Sequence, residues 1–196
     1  MNKVWNVLSS MAVLVLGAYF LTNFFLNQTS IPQQFTDSRM KGAEIARNIV
    51  ALSNNSLSSL SEIARYDEAG NTPDALILIS KEILKVGEYQ TQALNLSQEL
   101  EKMAELVKNI KPQGIKIVAT EAISSEVALV SSLLIYNGYL KDLFETLKTK
   151  LESNTNTDGR VKDLVGKINY QIKTINSLND ESVAVFNTFD TLSKSK

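Results

Sequence analysis

Apolar residues recur every three or four positions through nearly the whole sequence after residue 35. This spacing is typical of amphipathic α-helices, because a helix places residues three and four apart on the same face. Three prolines and eight glycines in 196 residues leave few positions that would interrupt such helices, and argue against a β-sandwich or a β-barrel. The pattern therefore predicts an all-α fold.

Three breaks divide this region into four predicted helices. They are Glu68-Ala69-Gly70-Asn71, Lys111-Pro112-Gln113-Gly114 and the loop 154–159. We expect helices at about 36–67, 72–110, 113–153 and 158–193, followed by a frayed tail at 194–196. Each would be about 50–60 Å long. Short connections make neighbouring helices antiparallel, so the sequence predicts a long up-down-up-down four-helix bundle with coiled-coil-like packing.

The N-terminal segment has a different composition. Residues 4–26, from Val4 to Leu26, carry no charge and are mostly apolar, and a neutral linker follows at 27–35. As a helix the segment would reach about 34 Å, enough to cross a hydrocarbon core of about 30 Å. We interpret it as an uncleaved membrane anchor. The alternatives are a cleaved secretory signal, for which the apolar stretch is long, and a buried helix of a soluble protein.

The charges that flank this segment predict its orientation. Lys3 and the α-amino group lie at its N-terminal end, whereas its other end stays neutral as far as Asp37. By the positive-inside rule we expect the N-terminus in the cytoplasm and the bundle outside it, in a periplasmic or extracellular location.

The composition bears on several classes of function. With 20 basic and 21 acidic residues, the chain has no excess of positive charge that would bind nucleic acid. It has no Cys and no His, which removes thiolate nucleophiles, the usual general base and the commonest metal ligands. We therefore predict no catalytic residues, no metal site, no cofactor and no enzymatic activity.

One stretch of the predicted third helix stands out. From Val127 to Leu140 the sequence carries no charge, and its apolar face is wide because Val130, Leu134 and Ile135 flank the main stripe. A stretch of fourteen residues is short for a membrane span. The alternatives are a core that is buried on two sides, an oligomer interface, or insertion into the membrane.

The same stretch contains Tyr136-Asn137-Gly138-Tyr139, in which a mid-helix glycine costs about 1 kcal/mol relative to alanine. Such a glycine is explained by a small pocket beside two tyrosines, by close approach of another helix, or by a turn. The candidate interface or pocket residues are Val130, Leu134, Ile135, Tyr136 and Tyr139.

Four polar residues, Ser56, Gln90, Ser125 and Ser182, fall where the helical stripes predict apolar ones. They are interpreted either as interior polar pairs that fix helix register or as points where the bundle admits a small ligand.

The predicted plan, an N-terminal anchor followed by a long four-helix bundle, is similar to the extracytoplasmic sensor region of bacterial chemoreceptors. The resemblance concerns layout and no particular motif. Such receptors continue into a second span and a cytoplasmic signalling region, whereas this sequence ends at Lys196. A protein of this plan is therefore expected to act through a partner.

Two hypotheses follow. In the first, the chain is a single-pass envelope protein whose bundle is a structural or interaction module that binds other envelope proteins or copies of itself. In the second, it is a sensor-like bundle that binds a small, unidentified ligand between its helices.

Overall fold

The computed structural model describes residues 31–153 and 155–194. Within them it contains four α-helices and no strands: α1 (Gln33–Glu68), α2 (Thr72–Val107), α3 (Gln113–Ser153) and α4 (Asp158–Lys194). Helix α1 packs on α2, α2 on α3, and α3 on α4. For the described residues, the prediction of an all-helical fold with four helices is confirmed, and the arrangement is consistent with a bundle. The predicted membrane segment lies outside the described residues.

Helix α1 begins earlier than the sequence suggested. Pro32 occupies its N-cap, and the backbone N–H of Phe35 donates to the Pro32 carbonyl at 2.9 Å. Phe35 is fully buried and its ring centroid lies 5.7 Å from that of Phe189 in α4. The end of the predicted linker is therefore helical, because Phe35 belongs to the core.

The turn between α1 and α2 is a Schellman motif. Gly70 has φ of +70°, which a residue with a Cβ rarely adopts. Its N–H donates to the Asp67 carbonyl at 3.1 Å, and the Asn71 N–H donates to the Tyr66 carbonyl at 2.8 Å. These bonds satisfy carbonyls that would otherwise have no partner at the end of α1.

Two other helix boundaries differ from the predicted ones. Helix α2 ends at Val107, and a turn at 108–109 leads to Ile110, which lies outside the helix but is buried. Lys194, expected in the frayed tail, is the last residue of α4. The Ser193 backbone just before it is still helical, and that residue is buried.

The core runs along the whole length of the bundle. Each helix contributes an apolar stripe that packs against the others. Its largest fully buried side chains are Phe35, Ile49, Ile63, Ile79, Tyr89, Leu96, Met103, Leu129, Tyr136, Phe144 and Phe189. Several polar and charged side chains are buried among them, and they form the interior part of the candidate site.

Candidate functional site: interior polar clusters and the outer face of α3

The first interior cluster surrounds Glu82 on α2, which is fully buried. Its carboxylate accepts hydrogen bonds from Ser56 at 2.6 Å and Ser59 at 2.9 Å, both on α1. It also accepts one from Lys85 at 2.5 Å, one turn further along α2. A buried carboxylate is tolerated when its oxygens are paired in this way. The Glu82 cluster therefore joins α1 to α2 through charge-assisted hydrogen bonds.

Tyr89 extends the Glu82 cluster along α2. Its hydroxyl donates to the Leu52 carbonyl at 2.7 Å and lies 2.5 Å from the Ser56 hydroxyl. Burial raises the pKa of Tyr89, and the Ser56 hydrogen bond opposes that rise. Ser56 thus contacts both Glu82 and Tyr89, and it is the residue that links them.

Three buried polar side chains near the Glu82 cluster have no hydrogen-bond partners. They are the hydroxyl of Ser53, the hydroxyl of Tyr136 and the amide of Asn137, and all three residues are fully buried. Burial raises the pKa of Tyr136, and the nearby Tyr89 adds to the rise. An unsatisfied buried polar group costs about 1–3 kcal/mol. We refer to Ser53, Tyr136 and Asn137 as the unsatisfied trio.

Glu126 forms a second interior cluster, between α3 and α4. It is fully buried, one carboxyl oxygen accepts a hydrogen bond from Ser182, and the other has no partner. Burial raises its pKa to about 7, although the Ser182 hydrogen bond and the positive charge of Arg39 act in the opposite direction. The bundle therefore favours the neutral carboxyl at this position.

Arg39 on α1 lies close enough to Glu126 to influence its charge. Its guanidinium makes two hydrogen bonds to Asp190 on α4, at 2.6 and 3.0 Å. It also stacks over the ring of Phe186, 4.4 Å from the ring centroid. This planar, bidentate contact joins α1 to α4.

The predicted interface or pocket residues do not form one site. Val130 and Tyr136 are buried in the core, Leu134 and Tyr139 are half-buried, and Ile135 is exposed. Tyr136 faces the interior, whereas Ile135 faces away from the bundle. The uncharged stretch from Val127 to Leu140 therefore contributes buried residues to one side of α3 and exposed residues to the other.

Tyr139 lines a shallow groove between α3 and α4, with a volume of about 580 Å³. The Lys167 amine lies 5.7 Å from the centroid of the Tyr139 ring and 2.9 Å from an Asp163 carboxyl oxygen. The groove exists partly because Gly159 and Gly166 place no side chain in it. The lining residues are Tyr139, Gly159, Lys162, Asp163, Gly166, Lys167, Tyr170 and Gln171.

The outer face of α3 is exposed and nearly free of charge. We define it by seven exposed residues, with half-buried Leu134 and Gly138 at its border: Ile117, Thr120, Ser124, Val127, Ala128, Ser131 and Ile135. Its three large side chains are 46–50% exposed. Glu121 is the one exposed charged residue between Ile117 and Gly138, and it lies at the edge of the face.

The hydroxyls on this face are already hydrogen-bonded within α3. Thr120 donates to the Lys116 carbonyl at 2.9 Å, Ser124 to the Thr120 carbonyl at 2.9 Å, and Ser131 to the Val127 carbonyl at 3.0 Å. Covering the face would therefore leave few donors without partners. Helix α3 is also the one described helix long and apolar enough to cross a membrane, a test that core helices of soluble proteins also pass.

The buried charges are not among the residues predicted from the sequence, and one predicted interior polar residue, Gln90, is exposed. Glu82 and Glu126 were not identified, although Glu126 lies in phase with Ala122 and Leu129 and could have been found from that spacing. Ser56 and Ser182 are buried as their positions suggested, whereas Gln90 is exposed because the core stripe of α2 passes through Tyr89 instead.

No group of acidic residues that could hold a metal ion occurs among the described residues. No family model matches the chain, no curated protein matches its sequence, and no solved structure matches its fold.

Proposed function

We propose that this chain is a single-pass membrane protein whose extracytoplasmic helical bundle is a structural or protein-interaction module without catalytic activity. The observation that carries the proposal is the outer face of α3, where exposed apolar side chains surround hydroxyls that are already hydrogen-bonded. Exposed apolar surface of this kind is typical of protein contact sites. The uncharged segment at residues 4–26 supports the membrane attachment.

The interior polar groups that bond across helices support a stabilising role. Glu82 and Arg39 are bonded to side chains of other helices, at Ser56 and Asp190. Such contacts fix which helix faces which, a known use of buried polar residues in helical bundles. They also use the oxygens and nitrogens that a ligand would need.

The experiment is photo-crosslinking of the full chain in membranes. A photoreactive amino acid replaces Ile135 on the outer face of α3, and in a matched variant it replaces Ile77, a similarly exposed isoleucine on α2. We expect protein adducts, with a second copy or with another envelope protein, at position 135 and few at position 77. Equal or absent adducts at both positions would argue against an interaction surface on α3.

A second candidate function, binding of a small ligand inside the bundle, is favoured by the unsatisfied trio. Ser53, Tyr136 and Asn137 offer donors and acceptors without protein partners in a fully buried setting. In a screen of small polar metabolites, one that binds would then raise the melting temperature of the chain. Tyr136→Phe should abolish that rise while Tyr170→Phe, at an exposed tyrosine, should leave it intact. No response to any metabolite would count against this alternative.

A further inference from the structure

We propose that the outer face of α3 joins two copies of this chain, packed antiparallel about a twofold axis beside Ser131. The inference rests on the interaction function proposed above and names its partner. A twofold contact requires one surface to be complementary to itself. The sequence of α3 around Ser131 meets that requirement in shape and in charge.

The order of residues on the face makes it complementary in shape to a second copy. In an antiparallel pair centred on Ser131, residues at nearly equal distances before and after it face each other. Val127 then lies opposite Leu134 of the partner subunit, and Ala128 opposite Ile135 of the partner subunit. Near the centre line, Ser124 lies opposite Gly138 of the partner subunit. On the flank of Ala128 and Ile135 a large side chain thus meets a small one, and on the other flank Val127 and Leu134 make an apolar contact. The small central residues allow close approach of the two helices.

The two ends of the face carry opposite charges, at Lys116 and Glu145. Lys116 and Glu145 are separated by about eight helical turns, so they lie along the same edge of α3. In the register centred on Ser131, Lys116 of each copy comes opposite Glu145 of the partner subunit. Lys116 has no ion pair within the described part of the chain, and Glu145 lies 3.8 Å from Lys141, at the long end of an ion pair. The twofold axis repeats the contact, so that two opposite-charge pairs bracket an uncharged centre.

One unfavourable charge contact in this register is partly offset. Glu121 comes near Asp142 of the partner subunit, and the Asp142 carboxylate lies 3.3 Å from the Arg160 guanidinium of its own chain. Arg160 therefore reduces the repulsion. A parallel arrangement would instead place Lys116 beside Lys116 and Glu145 beside Glu145.

The contact is small, and the tether compensates for that. The face from Ile117 to Gly138 is about 32 Å long, and a single helix face buries less than the roughly 800 Å² per partner of a typical stable complex. Confinement of both copies to one membrane raises their effective concentration. We therefore expect the dimer in membranes, and the test uses the full chain there.

Cysteine cross-linking tests the register directly. Because the sequence has no cysteine, each introduced thiol is the one available for a disulfide. Ser131→Cys places two thiols beside the axis, and mild oxidation should give a disulfide-linked dimer on a non-reducing gel. In Ser124→Cys the two thiols would lie about 21 Å apart along the antiparallel pair, too far to bridge. Ser80→Cys is the matched control, an exposed serine on α2 that also bonds to its own helix, at 2.8 Å from the Leu76 carbonyl. We expect at least a fivefold excess of dimer for Ser131→Cys over both other variants.

Charge reversal supplies a second, independent readout. Adding Lys116→Glu to Ser131→Cys should lower the rate of dimer formation roughly 2–10-fold, and adding Glu145→Lys should do the same. The two reversals together should restore it. Lys116 is half-buried, Glu145 is exposed, and neither side chain bonds to another helix in the described part of the chain, so neither change threatens the fold.

Several outcomes would overturn the proposal. Dimer from Ser131→Cys no greater than from Ser80→Cys would exclude the interface, and equal dimer from Ser124→Cys would exclude the antiparallel register. Protection of Ser131→Cys from a water-soluble maleimide, with neither dimer nor photo-adducts at position 135, would overturn the dimer and mean that lipid covers the face. The same protection with photo-adducts to another protein at position 135 would overturn the dimer and leave the interaction function standing.

Discussion

The carboxyl of Glu126 is fully buried, and its charged form is poorly compensated by one hydrogen bond from Ser182 and the more distant Arg39. Its pKa in the folded bundle is about 7, above the ordinary value of 4.5 expected in the unfolded chain. The folded state therefore binds this proton more tightly than the unfolded state does. Its contribution to stability is complete below pH 4.5 and is lost as the pH rises to about 7.

We expect this loss to reach about 3 kcal/mol in the free energy of unfolding. Urea denaturation, followed by circular dichroism from below pH 4.5 to above pH 7, measures it. Glu126→Gln keeps the shape and the Ser182 contact without a charge, so it should flatten the decline. Glu121→Gln, at an exposed position of the same helix, should not. An unchanged decline in Glu126→Gln would assign the pH dependence to another group.

Ser56 is the residue on which the Glu82 cluster depends. Ser56→Ala removes one hydrogen bond from the Glu82 carboxylate and the contact with the Tyr89 hydroxyl, leaving both groups buried. We expect a loss of about 1–3 kcal/mol in unfolding free energy. The control is Ser58→Ala, at an exposed serine that bonds only to the Asn54 carbonyl, for which we expect a change within about 0.5 kcal/mol. Equal effects of the two substitutions would contradict the role given to Ser56.

At this scale the sequence predicted apolar positions better than polar ones. Leu129, Leu133, Tyr136 and Leu140 are buried as their spacing indicated. The burial of Glu82 depends on hydroxyls of α1 more than twenty positions away in the sequence. Hydrophobic periodicity contains no information about such partners, so the interior clusters could be recognised only in three dimensions.

Among the helices, α1 and α4 depend on a few specific contacts at one end of the bundle. The main ones are the Arg39–Asp190 pair and the packing of Phe35 on Phe189. Arg39→Met keeps much of the side-chain volume but leaves Asp190 largely buried without its cation. We expect a loss of about 3–5 kcal/mol and faster amide hydrogen exchange in the first turns of α1. Arg47→Met, at an exposed position of α1, should change neither quantity.

Two glycines should respond to alanine in opposite directions. Gly70 has a positive φ in the α1–α2 turn, so Gly70→Ala should destabilise the chain by about 1 kcal/mol. Gly166 lies within α4 with ordinary backbone angles and open space where an alanine Cβ would lie, so Gly166→Ala should stabilise it by up to about 1 kcal/mol. Thermal unfolding of the two variants measures both signs. A stabilising Gly70→Ala would contradict the assignment of the turn.

The helical elements were predictable because each carries a long apolar stripe, and the Gly70 turn was evident from its residues. The exact ends of the helices were less predictable. Helix α1 extends back to Gln33 because Phe35 finds a partner in α4, and α2 stops at Val107 although Ile110 is still buried. The first difference comes from a contact between helices, which local sequence does not determine.

For the whole molecule, the described bundle places its stabilising polar contacts inside and leaves an uncharged face on α3 exposed. Such a face would favour aggregation of a free protein, and tethering to a membrane would limit the orientations in which copies meet. The proposed function therefore requires two features together, an interaction surface on α3 and membrane attachment through residues 4–26.

The most direct test of that combination is alkaline carbonate extraction of membranes from cells that express the full chain, compared with a variant lacking residues 2–26. Carbonate releases peripheral proteins but not those that span the bilayer. We expect the full chain to remain in the membrane pellet and the shortened chain to appear in the supernatant. Circular dichroism should show that the shortened chain is folded. Recovery of the full chain in the supernatant would contradict the account.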